Sequence, residues 1–268
     1  MKIATLLFIA VVSISSFGFA QTVTIGNQTW TTKNLDVATF RNGDAIPQAK
    51  TNEEWSAAGE NKQPAWCYYD NDVKNGPKYG KLYNWYAVND ARGLAPAGWH
   101  IPTDEEWTVL STFLGGEDGA GIKMKMSPVF GPTLISYDDQ GGYYAQNWVA
   151  CSNCKVASSE YKKICPSCIG MGGRNVQGNY IPKTKRKVET KKNLGWNGDN
   201  SSGFSGLPGG YRHSDGYFGN VLSSCHWWSA SERYGYDAWI RVLGDSSSDL
   251  DRRTDNKEMG FSVRCVRD

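Results

Sequence analysis

The chain of 268 residues carries 29 Lys and Arg against 27 Asp and Glu, a formal net charge of +2. That balance argues against a nucleic-acid binder, which needs a concentrated basic surface. With 30 Gly, 14 Tyr and 11 Trp, the composition also argues against long helices and for many short strands, tight turns and ordered loops around one sizeable core.

Residues 1–20 read as a secretory signal peptide. Lys2 supplies the positive start, Ile3 to Val12 is almost unbroken apolar chain, and Phe17-Gly18-Phe19-Ala20 offers a small-x-small cleavage site before Gln21. The apolar run is too short for a spanning helix, which needs about 20 residues. No Cys follows it, so a lipid anchor is not expected. The mature chain 21–268 shows no transmembrane segment. The expected location is the periplasm, the outer surface or the medium, as a cell-envelope or secreted protein.

Alternating residues on either side of Gly26-Asn27 predict a hairpin over 22–30. A short helix is expected near Asn52–Ala58. Pro64 to Tyr69 reads as a buried strand, Asp70 to Gly80 as a turn-rich loop, and Lys81 to Val88 has near-helical apolar spacing. The clearest helix starts at Thr103, where Thr103 and Glu106 form a capping box and Asp104 and Glu105 favour the positive end of the helix dipole. Trp107, Leu110, Ser111 and Leu114 line one face, and Gly115-Gly116 stops it. Glu105 and Glu106 read as capping and solvent charges rather than as an acid/base pair. From about 127 to 200 the character changes to a Cys-rich insert. Strands are then expected over Gly203–Arg212, Trp227–Ser231, Ala238–Leu243 and Gly260–Val266. The turns between them are Ser-Asp-Gly, Tyr-Gly-Tyr and Gly-Asp-Ser.

Four segments in order carry a resemblance. They are Tyr79-Gly80-Lys81-Leu82-Tyr83-Asn84-Trp85, the run from Gly98-Trp99-His100 to Trp107, the run from Ser202-Gly203-Phe204 to Gly209-Gly210-Tyr211-Arg212, and Gly260-Phe261-Ser262-Val263-Arg264-Cys265 to Asp268. Together they resemble the Fibrobacter succinogenes major paralogous domain. The resemblance implies one such domain over 21–268 and a secreted or surface protein of Bacteroidetes-like bacteria, but no activity. More distantly, Gly-Gly-Tyr-Arg followed by Gly-Phe-x-x-Arg-Cys looks like the end of the formylglycine-generating, sulfatase-modifying family. That likeness implies an α+β, C-type-lectin-like fold: twisted antiparallel strands, two or three short helices and much ordered loop. The enzymatic version of the fold needs a pair of closely spaced Cys between those motifs. Here only Cys225 lies there. Its neighbour His226 points to the opposite face of a strand, so the two are badly placed to exchange a proton.

Cys151, Cys154, Cys165 and Cys168 form two Cys-x-x-Cys pairs ten residues apart. Each pair suits a knuckle, and a short hairpin between them would assemble a zinc-ribbon-like insert holding one structural zinc, with Zn–S of about 2.3 Å. The second half also resembles one Cys-x-x-Cys-x-Gly-x-Gly unit of the DnaJ-type zinc module. Two disulfides, favoured by export, and a redox motif stand as alternatives. Of the three other cysteines, Cys67 and Cys265 lie in predicted strands and are the expected disulfide. Cys225 is then a buried thiol.

Trp227-Trp228 and Trp239 are candidates for stacking on sugar rings, although core packing is the commoner fate of any one Trp. Trp196-Asn197-Gly198-Asp199-Asn200 offers oxygen ligands for calcium but lacks a sugar-lectin signature. The basic run Lys183 to Lys187 reads as a solvated loop with some attraction for anionic polysaccharide. His100, His213 and His226 show no metal spacing. No catalytic set is found. The expected function is a non-enzymatic adhesion domain binding carbohydrate or another envelope component. An oxidoreductase or modifying enzyme of the formylglycine-generating type and a structural subunit of a surface assembly are the alternatives.

Overall fold

The computed structural model describes residues 21–126, 130–137, 143–150, 173–175, 196 and 198–268. The expected signal segment, the four clustered cysteines and the basic run at 183–187 lie outside them.

β1 (Thr22–Ile25) and β2 (Gln28–Thr31) pair antiparallel as expected, with Ile25 opposite Gln28. Gly26 takes a φ of +62° at the turn, which a tight hairpin demands. α1 (Asn52–Glu60) is capped by Thr51 in a capping box with Glu54. β3 (Trp66–Cys67) and β4 (Leu82–Tyr83) make a two-stranded sheet. Strand is therefore shorter than the apolar run 64–69 predicts, because the chain bends at once into two 3-10 turns and α2 (Gly76–Tyr79). The near-helical run 81–88 divides into β4 and α3 (Trp85–Val88), with the Asn84 side chain accepting from the Ala87 N–H.

β5 (Trp99–His100) leads to α4 (Asp104–Phe113), which starts on the Thr103–Glu106 capping box and buries Trp107, Leu110 and Ser111. α5 (Glu117–Met124) follows. β6 (Phe130–Tyr137), β7 (Tyr143–Ala150) and β8 (Gly173–Asn175) form their own antiparallel sheet, with Ala150 opposite Gly173.

The C-terminal third holds β9 (Gly209–Arg212), β10 (Phe218–Val221), β11 (Ser224–Tyr234), β12 (Asp237–Gly244), β13 (Asp251–Asn256) and β14 (Val266–Arg267). Five of them form a sheet in the order β10-β9-β11-β12-β13, while β14 returns to sit between β2 and β5 in a sheet ordered β1-β2-β14-β5. The strands expected over 203–212 and 260–266 are mostly irregular. Residues 260–262 make single bridges instead, Gly260 to Arg212, Phe261 to Tyr83 and Ser262 to Trp227, and so stitch the sheets together. The architecture is α+β with largely antiparallel sheets.

Buried cations fasten this framework. Arg212 donates to the carbonyls of Gly216, Ala49 and Thr51 at 2.8–2.9 Å and lies over the rings of Trp55 and Phe218. Arg264 donates to the carbonyls of Thr31, Phe204 and Ser205 and to Asn34 Oδ1. Gly210, two residues before Arg212 in β9, has a φ of +68°, and a Cβ there would lie 2.5 Å from the Gly219 oxygen.

The expected Cys67–Cys265 disulfide is not formed in this structure. Cys67, Cys225 and Cys265 are buried free thiols, one in each of three separate apolar clusters. Trp66 pairs with Tyr83, and Tyr83 bridges Phe261. The two thiols sit in different parts of the core, Cys67 with Trp55 and Leu82, Cys265 with Phe261 and Val263.

Candidate functional site

Trp227 and Trp228 are fully buried and belong to the core. Trp227 packs against Trp107 and Phe204, and Trp228 against Phe261. Trp196 is buried too. Beside it, Asp199 accepts from the Ser201 N–H, and Asn200 holds the backbone and hydroxyl of Ser205. These side chains are engaged within their own loop. Among the described residues no group of three or more His, Cys, Asp or Glu is gathered for a metal ion.

Cys225 and His226 diverge as strand neighbours must. Burial pushes the Cys225 thiol up to about 12 and His226 down to about 4. His226 lies against both Tyr211 and Phe261, with its Nε2 3.1 Å from the Ser224 hydroxyl. A protonated thiol beside a poor base does not make a nucleophile. His100 is held on both sides, Nε2 by Glu106 at 2.7 Å and Nδ1 by Asp268 at 2.8 Å. Burial works to lower its pKa, but the two carboxylates outweigh burial and leave it raised. This arrangement ties the segment after β14 to the cap of α4. A groove of about 460 Å³ beside it is lined by Asn27, Gln28, Thr103, Glu105, Glu106 and Val109.

The exposed aromatic side chains that stand together are at the far end of β11 and β12. Trp228 pairs with Ile240 but Glu232 with Ala238, so residues 229–231 bulge; a second irregularity places Arg233 outside the register. Bulges bend a strand and re-aim its side chains. The first bulge is pinned: Trp85 donates to the Ser229 carbonyl, Ala230 to the Pro102 carbonyl, and Asp104 N–H to the Ser231 hydroxyl. Beyond it Glu232, Arg233 and Tyr234 are exposed, and the hairpin projects from the core.

The tip is a two-residue turn, Gly235-Tyr236, between the paired Tyr234 and Asp237. Lys257 clamps it. The Lys257 N–H donates to the Tyr236 carbonyl, its Nζ to the Gly235 carbonyl, and the same ammonium pairs with Glu232 at 2.8 Å. Tyr234 and Tyr236 are 53% and 68% exposed, with ring centroids 6.4 Å apart and planes 30° from parallel. Arg233 lies over both Tyr234 and Trp239 at 4.9 Å, and Arg252 lies over Trp239 at 3.5 Å. Two aromatic plates on a fixed turn, with guanidinium groups beside them, form a preorganised stacking surface. Sequence reading chose Trp239 from this face and missed Tyr234 and Tyr236. The signal was in Tyr-Gly-Tyr, since a tight turn there leaves one tyrosine in the turn and the other beside it, both at the hairpin tip.

Comparison with known families gives a match over nearly the whole chain. The model described as the Fibrobacter succinogenes major domain matches residues 23–267. No curated protein and no solved structure matches the chain.

Proposed function

The chain belongs to the Fibrobacter succinogenes major domain family, and from that premise we propose that it is an exported, non-enzymatic adhesion domain that binds carbohydrate through the tip of the β11–β12 hairpin. The observation that carries the reading is the pair of exposed tyrosines on a turn clamped by Lys257. The C–H faces of a pyranose ring are weakly positive and stack on the negative faces of aromatic rings. A clamped turn limits the ordering entropy that such a shallow site must overcome. The sealed Cys225 thiol and the poor basicity of His226 weigh against a modifying enzyme built on that cysteine.

We read the fold as C-type-lectin-like. Return of β14 to the N-terminal hairpin, the helices α1 and α4, and the long ordered loops support this. For the insert we keep a structural zinc on Cys151, Cys154, Cys165 and Cys168. β7 ends at Ala150 and β8 begins at Gly173, directly opposite it. The described strand ends that flank the four cysteines therefore lie one strand spacing apart, which suits a zinc-ribbon knuckle pair. Metal analysis of the mature protein should find about one zinc per chain, lost in Cys154→Ser. Four oxidised thiols and no metal would replace zinc with two disulfides.

The binding test is affinity electrophoresis through gels containing soluble polysaccharides. Tyr234→Ala with Tyr236→Ala should lower affinity at least about tenfold, or roughly 1.4 kcal/mol. Tyr217→Ala, an equally exposed aromatic elsewhere (67%), should leave it unchanged. Retardation of the double variant equal to that of the unaltered protein would remove the hairpin from the reading.

A further inference from the structure

The identity of the sugar follows from charge at the hairpin, and it rests on the binding reading just given. Each cation around Arg233 has an acidic partner. Arg241 and Arg252 share Asp104, each at 2.7 Å, Arg253 pairs with Asp251, and Lys257 with Glu232. Arg233 has no carboxylate partner among the described residues. Asp237 and Asp255, the remaining acids on these strands, form no ion pair with it. Its guanidinium instead lies over Tyr234 and Trp239. Stacking occupies the faces of a guanidinium and leaves its N–H edges for a planar oxyanion.

We infer that the hairpin takes an acidic polysaccharide, with a ring-borne oxyanion of the sugar on Arg233 and the sugar rings against Tyr234 and Tyr236. The oxyanion is a uronate carboxylate or a sulfate ester, both of which a guanidinium binds through paired N–H···O bonds. A folded protein partner fits less well. A stable protein interface covers about 800 Å² on each side, whereas the exposed apolar side chains at this tip are two tyrosines. An extended glycan needs only a narrow strip.

The inference is tested by affinity electrophoresis and calorimetry with three probes: polygalacturonate, dextran sulfate and neutral dextran. Arg233→Gln should weaken at least one acidic probe tenfold or more, and neutral dextran by several-fold less than that probe. Arg253→Gln removes the same charge from β13, two strands away in the same sheet, and should change binding less than twofold. Loss confined to polygalacturonate assigns a carboxylate, and loss confined to dextran sulfate assigns a sulfate. Equal losses from Arg233→Gln and Arg253→Gln would mean diffuse attraction and would overturn the inference. So would an Arg233→Gln protein that binds both acidic probes like the unaltered one. In either case, dextran binding that disappears with the Tyr234 and Tyr236 substitutions would leave the broader reading standing. Failure of the unaltered protein to bind any of the three would sink both.

Discussion

Arg264→Met is expected to abolish cooperative folding or to lower stability by at least about 4 kcal/mol, because it strands several buried acceptors at once. The guanidinium meets the carbonyls of Thr31, Phe204 and Ser205 and the Asn34 side chain, from two separated parts of the chain. A buried acceptor left unpaired costs about 1–3 kcal/mol, and the whole fold of such a domain is stable by only about 5–15 kcal/mol. Methionine fills much of the volume but supplies no donor. Arg264→Lys restores one charge and at most three donors, and should recover part of the loss. Urea unfolding followed by Trp fluorescence measures both. A methionine variant within about 1 kcal/mol of the parent would show that water or backbone shifts replace the arginine readily.

The second large effect is acid destabilisation through His226. In the folded chain burial, with the Arg253 charge assisting, holds the imidazole down at about 4 against an ordinary value of 6.5. Its Nδ1 has no hydrogen-bond partner among the described residues. A proton therefore binds the unfolded chain more readily than the folded one. The stability tied to neutral His226 is complete above pH 6.5 and disappears as pH falls toward 4. The difference amounts to at most about 3 kcal/mol, and less to the extent that solvent reaches the ring edge. His100 has the opposite sign: its pKa is raised, so its contribution is full below 6.5 and fades as pH rises. The urea midpoint should fall between pH 7 and pH 4.5. His226→Phe, which keeps an aromatic ring against Tyr211 and Phe261, should flatten that fall. Parallel profiles for the two proteins would assign the acid sensitivity to other groups.

How much of this could be read beforehand differs from element to element. The Thr103–Glu106 cap, the Gly26-Asn27 turn and the β12 strand were legible because the determining interactions lie within a few residues. β13 was missed because Asp251-Arg252-Arg253-Thr254-Asp255-Asn256 has no apolar alternation; it is an edge strand whose arginines find partners on α4 and its own strand. The motifs behind the family resemblance were legible as motifs but not as structure. Arg212, Phe261, Val263, Arg264 and Cys265 are all buried, so the signature specifies how the chain is fastened. It does not specify what the surface binds. The proposed site was the least legible part: Trp227 and Trp228 drew attention by composition, while Tyr-Gly-Tyr was visible as a turn but gave no sign of the bulge that precedes it.

The three core thiols bear on how the protein matures. Each is held up near 12, so at pH 7 only about one in 10⁵ is a thiolate, against a few per cent for a free cysteine. Once the clusters close, oxidants and mixed disulfides find almost no reactive sulfur among Cys67, Cys225 and Cys265. Any wrong crosslink involving them must therefore form earlier, on the open chain. In an oxidising compartment, yield then becomes a race between collapse of the tryptophan-rich core and air or enzyme-catalysed thiol oxidation. Slow refolding under oxidising conditions should trap scrambled species, and rapid dilution in the presence of a reductant should not.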